Sequence, residues 1–179
     1  AELDTTRQWR PRDYHMHYQR RITAIDGNRV TIDAPIVHAL DQRFGGGTIY
    51  HYTAPGRIHY VGVEHLRLIS EFGPAEKGHR FGPPRLLTEA EQHAWTAILL
   101  NRHSQNTWVR HVTGQYFGWA LVYARGRNAT IEDCLSLGHA SKITGGRRYP
   151  FAVNGQLNLF QRCAAHGGRH EFVVQARAW

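Results

Sequence analysis

Two cysteines and one methionine are all the sulfur in this chain of 179 residues. Cys134 and Cys163 are too few for a disulfide framework, and with no Cys-x-x-Cys pair they do not make a zinc set. Their default reading is a pair of buried thiols, although stacking on neighbouring strands would set them at a separation that suits a disulfide. Long apolar runs are missing too. None approaches the roughly 20 residues of a membrane-spanning helix, so no membrane partner is expected. No signal peptide stands at Ala1, where a mature secreted chain and a cytosolic one look alike. Helical pattern is scarce, the best candidate being the short stretch from Thr88 to Leu100, where Glu89, Ala90, Glu91, Ala94 and Ala97 are tolerable formers. Acid is scarce in one half only. Residues 94–179 carry ten Lys/Arg against three acids (Glu132, Asp133 and Glu171), whereas residues 1–93 carry twelve against eleven. Nearly all of the formal +8 therefore lies in the second half. That half is a candidate surface for a polyanion such as an acidic polysaccharide, nucleic acid or an anionic lipid face. A solvated arginine face gives the same count.

The hydrophobic fraction of 41% supports one domain with a core. Arg21–Ile25 and Arg29–Ile32 flank Asp26-Gly27-Asn28, the chemistry of a tight hairpin. After Gly45-Gly46-Gly47 the alternation in Thr48–Tyr52 predicts another strand. Residues 71–93, rich in Gly, Pro and charge, read as a long loop. Four later segments align by hand on a pattern of two apolar residues separated by two others: Leu66/Ile69, Val109/Val112, Ile131/Cys134 and Phe160/Cys163. Their offsets are 43, 22 and 29. Recurrence in this range signals stacked repeats, with the loop at 71–93 enlarging the first of them. Asn106 and Asn128 precede two of the strands as turn residues, with Asn158 in a similar place. Two glycine pairs followed by cations stand out in the basic half: Gly145-Gly146-Arg147-Arg148-Tyr149 and Gly167-Gly168-Arg169-His170. Glycine permits sharp turns and close approach, and arginine grips carboxylate or phosphate in bidentate fashion.

With its hairpin at 22–35 and a first repeat at Val61–Leu68, the chain resembles the right-handed parallel β-helix proteins of the pectate-lyase-like superfamily over residues 20–175. The resemblance implies an all-β solenoid forming a single domain, 1–179. An N-terminal segment or cap would run to residue 60, with coils over 61–179 and an inserted loop at 71–93. Further coils or a partner chain beyond Trp179 are part of the same expectation. It also implies an exported protein, secreted or periplasmic, acting on carbohydrate. The superfamily holds lyases, hydrolases, esterases, epimerases and non-catalytic coils, so the fold alone assigns no activity. The acidic ligand cluster of its calcium-dependent pectate lyases has no counterpart in this basic half, and no metal or cofactor is expected.

The alignment puts His111, Asp133 and Arg162 in one corner column, beside Arg110, Glu132 and Gln161. Such a column is either an oriented base with a cation for developing negative charge, or a ladder of compensating charges. Cleavage of a uronate by elimination needs its carboxylate neutralised, a base for the C5 proton and an acid for the leaving oxygen. Lys142, Arg147, Arg148, Tyr149 and His170 are the candidate catalytic group, and Arg169, Arg162, His111, Trp108 and Trp119 the candidate substrate contacts. Trp95, Tyr116 and Phe117 are further aromatic faces that serve either sugar stacking or the core. His15 and His17 share a strand face, with His51 as a further ligand type, and Glu132 with Glu171 is the one glycosidase-like pair in the second half. The expected function is recognition of an acidic, uronate-bearing polysaccharide, with lyase cleavage as the chemistry. The alternative is a non-catalytic carbohydrate-binding or structural β-helix, and nucleic acid ranks lower because no recognition motif accompanies the charge.

Overall fold

The computed structural model describes residues 15–71, 77–78, 85–86 and 94–175. The chain divides into two compact units, residues 1–50 and 51–179, where the N-terminal segment was expected to run to residue 60. In the first unit β1 (Ile22–Asp26) and β2 (Arg29–Ile32) form the expected antiparallel hairpin, with Asp26 opposite Arg29 and Ile25 opposite Val30. Gly27 takes φ 55°, the left-handed conformation that so short a connection demands. The open end is closed by Arg20, whose guanidinium donates to the carbonyls of Ala34 (2.9 Å) and Pro35 (2.8 Å). Thr48–Tyr52, expected as a strand, lies in no strand. Its alternation finds no neighbouring ladder, and Ile49 is 82% exposed, so β propensity has nothing to act on.

In the second unit the strands are β3 (Ile58–His59), β4 (Gly62–Ile69), β5 (Lys77–Gly78), β6 (Arg85–Leu86), β7 (Thr96–Leu100), β8 (Ser104–Gln105), β9 (Trp108–Gln115), β10 (Ala120–Ala124), β11 (Thr130–Glu132), β12 (Leu135–Leu137), β13 (Phe151–Val153), β14 (Leu159–Gln161), β15 (Ala164–His166) and β16 (Phe172–Val174). The architecture is all-β, and its sheets are mostly parallel. Among the described residues there is no α-helix, and only one 3-10 turn, Gln42–Phe44. The helix candidate at Thr88–Leu100 is corrected over Thr96–Leu100, where Thr-Ala-Ile-Leu-Leu pairs as a strand with β10. Residues 88–93 of that candidate lie outside the described residues, as does most of the expected loop at 71–93. Within that loop β5 and β6 pair antiparallel.

Three stacks recur in the same chain order. The first runs β3, β8 and then the single bridges from Gln105 to Arg127 and from Arg127 to Gln156. The second is the six-stranded sheet, in which β9 pairs with β4 on one side and with β11 and β12 on the other, β14 and β15 following. The third is β7, β10, β13 and β16. The spacings of 22 and 29 are those of the sequence alignment: Val109 pairs with Ile131 and Ile131 with Phe160. The spacing of 43 is corrected to 46, because Val63, not Leu66, pairs with Val109, and Leu66 pairs with Val112. The apolar pattern repeats every three residues and fits both registers. The backbone decides between them, because a left-handed corner must fall at the same place in each repeat. His65, His111, Asp133 and Arg162 have φ 56°, 52°, 53° and 50°, and Tyr60, Asn106, Asn128 and Leu157 form a second such column. Leu157 thus holds the place in that column expected of Asn158. The Asn158 carboxamide instead bridges repeats, accepting from the Ala129 N–H (2.8 Å) and donating to the Gly126 carbonyl (3.1 Å).

Each non-glycine left-handed corner costs on the order of 1 kcal/mol. Inward-facing side chains offset this, because a fully buried Val or Ile contributes about 1.5–3 kcal/mol. Val109, Val112, Leu121, Val122, Ile131 and Phe151 form that core between the second and third stacks. Close backbone approach at the tight side of the repeat fixes Gly155, where an added Cβ would stand 2.0 Å from the Gly126 carbonyl oxygen. Gly155→Ala is therefore expected to lower unfolding stability by about 1–3 kcal/mol in urea titration, the range for overpacking. Gly145→Ala, at a site with nothing within 4 Å, is expected to change it by less than about 0.5 kcal/mol. Equal effects at the two sites would contradict this packing.

Candidate functional site

The segment from Gly138 to Pro150 links β12 to β13, and buried polar groups fasten its base. The His139 ring lies between the Phe117 carbonyl (Nδ1, 2.9 Å) and the Ser136 hydroxyl (Nε2, 3.1 Å), both contacts buried. A carbonyl only accepts, so Nδ1 carries a proton and donates to Phe117. The Gly118 carbonyl accepts from the Ser141 hydroxyl (2.5 Å) and the Arg148 N–H (3.1 Å), pinning both ends of the segment to one point. Ser136, His139 and Ser141 were not anticipated from the sequence, since a single histidine and two serines beside a loop carry no spacing signal.

On this base the two glycine-arginine segments meet. The Arg169 and His170 N–H groups donate to the Arg148 carbonyl at 2.8 and 3.3 Å. The Arg148 guanidinium donates to the carbonyls of Ser141 (Nε, 2.5 Å) and Gly167 (Nη1, 3.3 Å), so it clips the segments together. Arg169 Nη1 donates to the Tyr149 hydroxyl at 2.7 Å, and the His170 ring lies 5.4 Å from the Tyr149 ring. Tyr149 follows Trp119 and Trp95 on successive rungs, its N–H donating to the Trp119 carbonyl (2.7 Å) and the Trp119 N–H to the Trp95 carbonyl (2.8 Å). The Arg147 guanidinium lies 5.5 Å from the Trp95 ring, within cation–π range. Lys142 and Arg169 are exposed. Trp95, Trp119 and Tyr149 are thus half-buried residues on successive rungs, the Trp119 ring edge-on to Tyr123 (4.5 Å), with cations beside them. Gly167 (φ 82°) serves a turn, and Gly168 serves close packing, since a Cβ there would stand 3.1 Å from Pro150.

The remaining candidates lie elsewhere. Trp108 packs on Gly62 in the six-stranded sheet, where a Cβ on that glycine would stand 2.0 Å from the indole. Phe117 is buried in the core, while Tyr116 is a partly exposed left-handed corner (φ 65°). His111 stacks on His65 (ring centroids 4.8 Å, interplanar 23°), and the Asp133 carboxylate takes Arg162 at 2.7 Å. Arg162 also bridges to Glu132 (2.8 Å), which accepts from Gln161 (2.7 Å), and Arg110 pairs with Glu64. This corner is a ladder of compensating charge, and its members are not brought to the glycine-arginine segments. Glu132 is likewise held in that ladder, away from the glycosidase-like pairing with Glu171. His17 shares a hydrogen bond with Tyr50 (3.2 Å), and among the described residues no three His, Cys, Asp or Glu side chains group to hold a metal ion. No protein-family model, no curated protein and no solved structure matches the chain.

The Arg162 hydrogen bonds hold the Asp133 carboxyl below its ordinary value of 3.8. A carboxyl lowered in the folded state stabilises the fold above the ordinary value, and that contribution is lost as pH falls through the lowered one. Arg162→Gln is therefore expected to move the Asp133 titration, followed by carboxyl NMR, up toward 3.8. An unmoved titration would show that Arg162 does not set it.

Proposed function

We propose that residues 51–179 form a right-handed parallel β-helix of a secreted or periplasmic protein that binds an acidic, uronate-bearing polysaccharide and cleaves it by elimination. The observation that carries this reading is the union of the two glycine-arginine segments, which brings the exposed Arg169 and His170 against Tyr149, on rungs successive with those of Trp119 and Trp95. Aromatic faces take the apolar side of sugar rings, and an exposed guanidinium grips a carboxylate. Arg169 neutralises the uronate carboxylate, with Arg147 and Lys142 supplying further positive charge along the glycan. His170 takes the C5 proton. The Tyr149 oxygen accepts from Arg169 (2.7 Å) and the Gly146 N–H (3.4 Å), and its O–H protonates the leaving oxygen. Arg148 acts by holding the two segments in register. A second reading, binding without cleavage, draws on the same column, since stacking and charge suffice for retention on a glycan.

Incubation with a panel of uronate polysaccharides, followed at the absorbance of the unsaturated product, tests the chemistry. Product formation is expected, with Tyr149→Phe and His170→Ala each slowing it about 10²–10⁴-fold. Retention on a uronate gel without product from any substrate supports the binding reading. Arg169→Ala is expected to abolish retention and Arg162→Ala to leave it intact; the reverse order would move the ligand to the charge ladder. Binding to DNA with a steep salt slope and no glycan preference would overturn the polysaccharide reading.

A further inference from the structure

Cys134 and Cys163 occupy equivalent positions of successive repeats, between β11 and β12 and between β14 and β15. Both flanks are in register, Glu132 with Gln161 and Leu135 with Ala164, and the Ala164 N–H donates to the Cys134 carbonyl at 2.9 Å. Neighbouring rungs stand about 4.8 Å apart, inside the roughly 4.4–6.8 Å separation of bridged Cα atoms. The two side chains take the same pose. Cys134 Sγ lies 3.2 Å from the Glu132 carbonyl and 3.7 Å from that of Val109, and Cys163 Sγ lies 3.3 Å from the Gln161 carbonyl and 3.6 Å from that of Ile131. Both are free thiols, Cys134 sealed in the core and Cys163 half-buried in the last repeat. We propose that Cys134 and Cys163 are a redox-active dithiol that closes to a disulfide between repeats by exchange with a small disulfide of the glutathione class.

Cys163, half-buried where Cys134 is sealed, is the sulfur a small disulfide reaches, and the neighbouring Cys134 thiol holds the Cys163 thiol below its ordinary value. The neighbouring Cys163 sulfur and burial push the Cys134 thiol up. Cys163 thiolate attacks one sulfur of oxidised glutathione, forming a mixed disulfide and releasing one glutathione thiolate. Capping removes the negative charge that held the proton on Cys134, and the released thiolate takes that proton. Cys134 then attacks the Cys163 sulfur and expels the second glutathione, which picks up a proton from water. Two protein thiols are oxidised, and one small disulfide is reduced to two thiols. The new bond ties the last repeat to the one before it, and this chemistry holds whatever ligand the aromatic column takes.

The test equilibrates the full chain in buffers of graded oxidised and reduced glutathione, then alkylates and weighs it. Both thiols are expected to disappear together at one midpoint, with the loss of two hydrogens and a peptide pair linked through Cys134 and Cys163. The oxidised form is expected to melt roughly 5–10 °C higher, as a closed loop of this length implies. Cys134→Ser is expected to stop at one glutathione on Cys163, and Cys163→Ser to take none. The wild-type measurement stands by itself if either variant fails to fold. A wild-type chain that keeps both thiols at a strongly oxidising ratio, or accumulates a glutathione adduct with the Cys134 thiol intact, overturns the proposal.

Discussion

In-register stacking with left-handed corners is the constraint on which the rest of this structure depends. Once His65, His111, Asp133 and Arg162 adopt positive φ at the same place in four repeats, everything between them is aligned. Inward apolar residues fall on inward apolar residues, as in Val63, Val109, Ile131 and Phe160. Strain at the corners is local and small. Burial is continuous along the columns, so it wins.

The same register gives two regions of different electrostatic character. At the corner of the six-stranded sheet, cation faces anion from rung to rung, and the groups satisfy one another. Surface pairs of this kind contribute little stability singly, but they leave that corner with few free charges. Beside the third stack, Arg148 is committed to backbone carbonyls, Arg169 donates to Tyr149, and Lys142 and Arg169 are exposed, with the Glu171 side chain packed at Gly168 as the near acid.

How much of this was legible in the sequence follows from which signals are local. The hairpin at Asp26–Arg29 and the spacings of 22 and 29 could be read, because turn chemistry and apolar spacing sit in a few adjacent residues. The first spacing was three residues short, because an apolar pattern of period three accepts two registers and only backbone conformation distinguishes them. Thr96–Leu100 was open to a helical reading since its partners, β10 and the strands beyond, are distant in the chain. The meeting of Tyr149 with Arg169 and His170 was legible only as two similar motifs. The clip that joins them, Arg148 to Gly167, and the His139 anchor depend on atoms 19 and 22 residues apart.

The proposed glycan site is the aromatic-cationic column and not the charge ladder. Two-dimensional NMR of the labelled chain titrated with a uronate oligosaccharide tests it most directly. Shifts are expected in the amides of residues 142–149 and 167–170 and in the indoles of Trp95 and Trp119. Shifts confined to His65, His111 and Arg162, or none at a saturating oligosaccharide concentration, would contradict it.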